Sequence, residues 1–381
     1  MIPVRPNDLA HDAVAGAVTA VLLIPQALAY ALLAGMPPEA GLSAAMAPPL
    51  IYAVFGTSPA LSVGPVAVVS LMVATTLGPL HAAGSAEYAH DATTLALLSG
   101  VMLLALGLLR LGVLVNFLSF PVISGFAMGA ALLIILSQLP QMLGLHLAAS
   151  GGALHQGRQL LEALPSSSAI PLGIAAISIG SLLAARGPLT RWLLALGVPR
   201  RFAVTIPSTM PLLLVVAGSA GAIGLRLDGH GVQLVGHLAG GLPALRLPAA
   251  DWDQCRTLAG PAALIGLVGY LEGISIAQLL ARRHRHEVRA NRELVAIGLA
   301  NVVAALTISM PVAGSLSRSV VNDSAGARTR LAGVIAVGFI AVSSLTLTPL
   351  LEHLPRAVLA AIIMVAVLRL LDWRGQRQVW R

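Results

Sequence analysis

Apolar runs of helical length, broken by Gly, Pro and short charged stretches, repeat along the whole chain. They fall at about 13–34, 40–56, 66–80, 92–110, 121–143, 169–185, 203–224, 260–280, 293–310, 315–324, 331–349 and 356–371. A run of about 20 such residues is what a helix needs to cross roughly 30 Å of hydrocarbon. With 57% hydrophobic and 10% charged residues the chain also lies far from soluble domains, which are roughly 45–50% apolar and about 25% charged. The pattern therefore predicts an all-α membrane protein of about twelve spans.

The charge distribution supports that class and removes others. A net charge of +8 would suggest nucleic acid in a soluble protein, but the 23 basic residues are all Arg and cluster between apolar runs. That is how cytoplasmic loops fix orientation. Aromatics, at 4%, are too few for base-stacking platforms. With the N-terminus inside, seventeen of the arginines fall on predicted inner segments and five on outer ones, with Arg318 inside a span. The first run, about 13–34, shows no cleavage-type tripeptide and reads as a retained span. The expected location is a cell membrane of the bacterial inner-membrane type, multi-pass, with a cytoplasmic N-terminus. The single Cys255 excludes an internal disulfide framework and a Cys-based metal site.

A polar loop from about Leu225 to Leu258 separates seven runs from five and looks like a junction between repeats. Gly125 and Gly129 form a GxxxG face in the fifth run, read here as a helix-packing surface. The third run opens after Gly64-Pro65, and the tenth after Pro311-Val312-Ala313-Gly314. Irregular backbone at membrane depth must be buried in protein or line a cavity. Paired Gly/Pro-broken segments in two halves are the best sequence pointer to a secondary-transporter binding site.

Ionisable groups inside hydrocarbon carry the most information, because each costs at least about 2.5–3.5 kcal/mol on insertion scales. Glu272 lies mid-span, and Arg318 follows Gly314-Ser315-Leu316-Ser317 at the start of the tenth run. A broken helix start offers free N–H groups and the positive end of the dipole, and with Arg318, Ser315, Ser317 and Ser319 it suits an anion. The other reading of Arg318 is an ion pair with Glu272 or Asp323. Gln26 and Tyr30, four residues apart after Pro25, share one face of the first helix. Of the ten histidines none lies well inside a span, so Ser315 and Ser317 have no evident base and the chain is not read as an enzyme. His284 and His286 are read as part of a solvated loop.

Several stretches in register resemble the SulP family of anion transporters. They include Pro25-Gln26-Ala27-Leu28-Ala29-Tyr30-Ala31, Leu61-Ser62-Val63-Gly64-Pro65-Val66-Ala67, Gly314-Ser315-Leu316-Ser317-Arg318-Ser319 and Leu354-Pro355-Arg356-Ala357-Val358-Leu359-Ala360. The resemblance implies two inverted repeats of seven helices, with a core domain (spans one to four and eight to eleven) moving against a gate domain. It divides the chain into a first repeat at 1–225, an extracytoplasmic linker at 226–258 and a second repeat at 259–381. Because the sequence ends at Arg381 after the twelfth run, the second repeat is expected to be incomplete and the family's usual STAS domain absent.

The implied substrate is a small inorganic anion, sulfate first, with bicarbonate or a dicarboxylate as alternatives. A transport-incompetent anion-binding protein is a further one. The implied site holds Gln26 and Tyr30, the backbone N–H groups of Val66 and Ala67, and Ser315, Ser317 and Arg318. Gly64, Pro65, Pro311 and Gly314 are its helix breaks. Glu272 matches an acidic position that takes up a coupling proton or helps hold Na⁺. Beyond such a coupling ion no cofactor or metal is implied; the expected partners are the anion, the bilayer and a second copy of the chain, and not nucleic acid.

Overall fold

The computed structural model describes residues 6–112, 120–145, 153–185, 187–199, 203, 207, 209–238, 240–248, 251–284 and 286–368. Arg5, Arg186, Arg200, Arg201, Arg285 and Arg369, and the end at Leu371-Asp372-Trp373-Arg374, lie outside them. In chain order the elements are α1 (Pro6–Leu33), α2 (Pro38–Phe55), β1 (Val63–Gly64), α3 (Ala67–Leu77), α4 (Ala86–Leu108), α5 (Phe120–Leu143), α6 (Ala153–Ala163), α7 (Ala169–Ala185) and α8 (Pro188–Ala195). There follow α9 (Met210–Leu225), α10 (Trp252–His284), α11 (Ala290–Leu306), β2 (Ala313–Gly314), α12 (Leu316–Ser324), α13 (Leu331–Thr346), α14 (Thr348–Glu352) and α15 (Arg356–Val367).

Local signals account for the clearest boundaries. Proline at N1 opens α2 at Pro38 and Gly56 ends it. Ser85 opens α4, its side chain accepting the Tyr88 N–H at 3.1 Å. Among the described residues, α1 from Asp8, α4 and α10 are long and apolar enough to span, and α6–α7 would add a fourth despite a 115° bend. Helices α3 and α13 are shorter than the runs predicted, whereas α5 and α7 match theirs to within a residue. At 11 and 9 residues, α3 and α12 reach only about 16 and 14 Å. Each crosses about half a bilayer core.

The chain forms two compact units, each interleaved in sequence: Met1–Phe120 with Gly240–Leu345, and Pro121–Ala239 with Thr346–Arg381. The first contains α1–α4 and α10–α13, the elements matching spans one to four and eight to eleven. Glycines let its helices approach to backbone contact. A Cβ on Gly100 of α4 would lie 2.7 Å from the Gly298 carbonyl of α11, and one on Gly41 of α2 would collide with the Ala27 carbonyl of α1.

Buried carboxylates tie the ends of these helices. Asp12 accepts the N–H groups of Arg328 and Thr329 at 2.7 and 3.0 Å and the Thr329 hydroxyl. Fully buried Glu293 accepts from the Tyr52 hydroxyl at 3.0 Å and from Thr57 N–H at 2.6 Å. Arg330 and Arg292 close the C-terminal end of α2, donating to Gly56 O at 2.6 Å and Phe55 O at 2.9 Å.

In the second unit Met142 of α5, Ala175 of α7 and Ala357, Ala360 and Met364 of α15 form a common core. The segment after α9 is pinned to the turn before α15: Val235 N–H donates to Leu354 O at 2.9 Å, and Arg356 Nε to Leu234 O at 3.0 Å.

Four sequence expectations change. The loop placed at Leu225–Leu258 is shorter, since α10 already starts at Trp252. Helices α6 and α8 were not expected, because both are short, polar on one side and outside any long apolar run. Gly125 and Gly129 are exposed, and a Cβ on either meets nothing within 4 Å, so the close glycine packing lies at Gly41, Gly100 and Gly298 instead. His284 is not simply solvated, because its Nε2 lies 2.5 Å from Asp323 Oδ1 while Arg283 donates to Oδ2 at 3.1 Å. These contacts clasp the ends of α10 and α12. Nearby, burial and then the adjacent His284 hold the His286 imidazole below its ordinary pKa.

Replacing Gly41 by Ala is expected to lower stability by about 1–3 kcal/mol through overpacking, while Gly125→Ala stays within about 0.5 kcal/mol. Thermal unfolding midpoints in one detergent check both; equal shifts would contradict the assignment of the tight contact to Gly41.

Candidate functional site

Backbone groups at mid-membrane must find partners, and the two breaks find each other. Strand β1 pairs antiparallel with β2, Val63 opposite Gly314 and Gly64 opposite Ala313. Ser315 N–H extends the ribbon, donating to Ser62 O at 3.0 Å. Each strand leads directly into a half-helix, so the starts of α3 and α12 are held close together. Neither start has a side-chain cap. Val66 (φ −135°, ψ 149°) and Ser315 (φ −106°, ψ 123°) are the extended residues that precede them. The free N–H groups and positive dipole ends of two helices thus converge on one place.

Arg318 lies on the first turn of α12 and is fully buried. Its Nη1 donates to Pro65 O at 2.9 Å and Gln26 Oε1 at 3.2 Å, and its Nε to Ser62 Oγ at 3.3 Å. Nη2 is buried without an acceptor among the described residues. It lies beside Gly64, where a Cβ would come within 3.3 Å, at a φ of +154° that also disfavours a side chain. The ion-pair alternative does not hold: no carboxylate among the described residues is within 4 Å of Arg318, and Asp323 pairs with Arg283 and His284. Glu272 of α10 is near enough for the Arg318 charge to act on it, without an ion pair. Next to it, Gly273 brings α10 against β2, with a Cβ there only 3.5 Å from Gly314 N.

Of the residues singled out from sequence, Gln26, Gly64, Pro65, Gly314, Ser315 and Arg318 come together here. Tyr30 is buried one turn beyond Gln26, and Val66 and Ala67 begin α3. Ser317 is half-buried, its hydroxyl 3.4 Å from that of Ser315. Pro311 is buried in the extended run before β2. Arg318 itself points into the Ser62–Pro65 segment and braces the two breaks.

The sequence reading missed Asn322 and Asn301, which hold this arrangement, and Ser319, counted there among the hydroxyls suited to an anion, braces backbone. Ser319 Oγ accepts Ser62 N–H at 2.9 Å, and Asn322 donates to Ala60 O at 3.1 Å while accepting from Thr19 of α1 at 3.2 Å. Ser315, Arg318, Ser319 and Asn322 therefore form one polar stripe of α12, a spacing legible in the sequence. Asn301 of α11 holds the other approach: its Nδ2 donates to Val312 O at 3.0 Å and its Oδ1 accepts Val312 N–H at 2.9 Å. A lone amide inside an apolar run was the available signal.

Comparison with known proteins identifies the family and the fold. The model of the Sulfate permease family matches residues 9–381. "Probable sulfate transporter MT1781" of Mycobacterium tuberculosis is 37% identical over 379 residues, covering 98% of this chain and 64% of that protein. The chain thus spans under two thirds of that relative's length. Among solved structures, "The transmembrane domain of a cyanobacterium bicarbonate transporter BicA" superposes with a TM-score of 0.84 at 28% identity, over 99% of this chain and 92% of that one. The structure titled "The overall structure of SLC26A9" gives a TM-score of 0.89 at 24% identity, over 99% of this chain and 60% of that one, a likeness of fold.

Replacing Asn301 by Ala is expected to leave both polar groups of Val312 unpaired, at a cost of about 2–4 kcal/mol for the two together. Hydrogen exchange at the Val312 amide should accelerate with it. An unchanged exchange rate would mean that Asn301 does not hold the strand.

Proposed function

The chain belongs to the sulfate permease family, and from that premise we propose that it is a secondary transporter that carries a small inorganic anion, with sulfate as its leading substrate, by alternating access. The observation that carries this reading is a fully buried guanidinium, with no carboxylate within ion-pair distance among the described residues, set between two converging helix starts. At an effective dielectric of 20, an anionic charge about 5 Å from such a cation gains about 3 kcal/mol. Two uncapped helix ends add to it and offer N–H donors, which suit oxyanion oxygens. Arg318 Nη2 and the N–H groups of Val66 and Ala67 are the donors assigned to the anion, with Ser315 and Ser317 at the second helix start. Gln26 fixes the guanidinium's orientation, and Tyr30 lines the site from α1.

Glu272 supplies the coupling in this reading. A carboxylate within reach of the Arg318 field competes with the anion for that cation. Protonating it removes the competing charge, so proton and anion favour each other's binding by the same free energy. Protons are therefore the leading coupling ion and Na⁺ the alternative. Bicarbonate is the second substrate reading, favoured by the likeness to a bicarbonate transporter domain.

Uptake of labelled sulfate into proteoliposomes tests the site. Arg318→Ala should lose roughly 10- to 100-fold in initial rate, the equivalent of one charge-assisted hydrogen bond of about 1.5–3 kcal/mol. Since Arg318 also braces the fold, Arg318→Lys, which retains the charge, should recover part of the rate and give a monodisperse profile. Wild-type rates in Arg318→Ala would remove the site assignment, and competition by bicarbonate at lower concentration than by sulfate would exchange the two substrates.

For Glu272→Gln the expected result is loss of uptake driven by a pH gradient, with anion exchange at equal pH partly preserved. A pH-driven rate equal to wild type would eliminate Glu272 as the coupling group.

A further inference from the structure

Glu293, on the first turn of α11, is a fully buried carboxylate that the proposed anion site does not use. Its oxygens meet only donors. The Tyr52 hydroxyl of α2 lies 3.0 Å from Oε2, and Thr57 brings both its N–H, at 2.6 Å, and its hydroxyl to Oε1. The same Tyr52 hydroxyl accepts the Ser58 N–H at 3.3 Å, so one carboxylate orders two successive N–H groups of the segment after α2. No cation among the described residues comes within 4 Å of it. A buried charge without a counter-ion is costly, and apolar packing would join α2 to α11 without that cost.

Residues 56–62 run from the end of α2 into β1 without helix or strand. Their backbone groups are held by side chains instead. Arg330 donates to Gly56 O at 2.6 Å, Glu293 and Tyr52 take the N–H groups of Thr57 and Ser58, Asn322 donates to Ala60 O at 3.1 Å, and Ser319 Oγ accepts Ser62 N–H at 2.9 Å. Asn322 and Ser319 belong to α12, the helix of Arg318 itself, and travel with the guanidinium. Glu293 and Tyr52 grip the segment from α11 and α2, elements outside the site. At its far end stand Ser62 Oγ and Pro65 O, two of the three oxygens around Arg318, and Ser62 O, which accepts the Ser315 N–H. A shift of the segment would draw those oxygens off the guanidinium and displace the start of α3. We infer, on the anion-site reading above, that Glu293 is a positioning residue: with the Tyr52 hydroxyl as its relay, it sets where Ser62–Pro65 stands against Arg318 and thereby the affinity for the anion.

The test separates affinity from folding. Uptake of labelled sulfate by the full chain in proteoliposomes is followed over a range of concentrations, with rates referred to the amount of monodisperse protein. Glu293→Leu removes the carboxylate at similar volume, Tyr52→Phe removes only the relay, and Glu293→Gln retains an oxygen for Thr57. KM is expected to rise roughly tenfold in Glu293→Leu and about threefold in Tyr52→Phe, the effect of one or two lost hydrogen bonds, with Glu293→Gln back within about threefold of wild type and maximal rates within about twofold. A merely structural tie would instead lower the yield and the thermal midpoint at unchanged KM, and that result overturns the inference. If Glu293→Leu does not fold, Tyr52→Phe combined with Ser62→Ala decides: a raised KM whose two losses are less than additive supports the inference, and additive losses or an unchanged KM in Tyr52→Phe overturn it. Wild-type protein that takes up neither sulfate nor bicarbonate would remove the anion reading and this inference together, whereas wild-type uptake with the same KM in every variant leaves that reading and removes only the role of Glu293.

Discussion

Two interrupted spans that satisfy each other's backbone groups are the constraint on which the first unit depends. A broken helix inside hydrocarbon leaves N–H and C=O groups that lipid cannot satisfy, each at a cost of several kcal/mol. Here the residues between break and helix form a two-stranded ribbon, so the groups freed in Val63–Gly64 are used by Ala313–Gly314 and the reverse. Pairing consumes the strand groups and leaves the helix starts uncapped. One arrangement thus resolves the structural problem and exposes positive dipole ends in the membrane interior. The site follows from how the fold satisfies its backbone.

Arg318 shows how closely the two roles are joined. Burying a lone cation is unfavourable unless oxygens surround it, and three do: a hydroxyl, an amide oxygen and the Pro65 carbonyl. Each of the three oxygens is neutral, so they solvate the charge without cancelling it. A carboxylate in their place would have neutralised the cation and removed the electrostatic reason for an anion to enter. Asn322, Ser319 and Asn301 hold further backbone groups of the two breaks with neutral side chains.

Much of this was legible before any coordinates. Apolar runs placed α5, α7 and α15 to within a few residues, and the Gly64-Pro65 and Pro311–Gly314 breaks marked both half-helices. Family resemblance, not spacing, brought those breaks to one site. What stayed hidden was long-range pairing. Asn301 and Val312 are near in sequence, but Ser62 and Ser319 are 257 positions apart, and a serine has no local pattern that reveals a distant amide. The GxxxG reading failed for a related reason. Gly125 and Gly129 have the spacing for close packing, but spacing says only that a helix could approach, whereas Gly100 and Gly298 carry no shared motif and meet at their carbonyls. Short amphipathic helices escaped because α6 and α8 lack the long apolar run that a search for spans detects.

The interleaving of the two units turns this geometry into a mechanical argument. All elements of the proposed anion site, α1, β1–α3, α10 and β2–α12, belong to one unit, and none of the hydrogen bonds that brace Arg318 leaves it. The chain crosses between units near 120–121, 239–240 and 345–346. The site can therefore keep its geometry while the units change their relation, which alternating access around an intact binding site requires. It also assigns different selective demands to the two parts. In the first unit, glycine contacts and neutral polar braces favour rigidity around a charge. In the second, a Met/Ala core of small and adaptable side chains joins α5, α7 and α15.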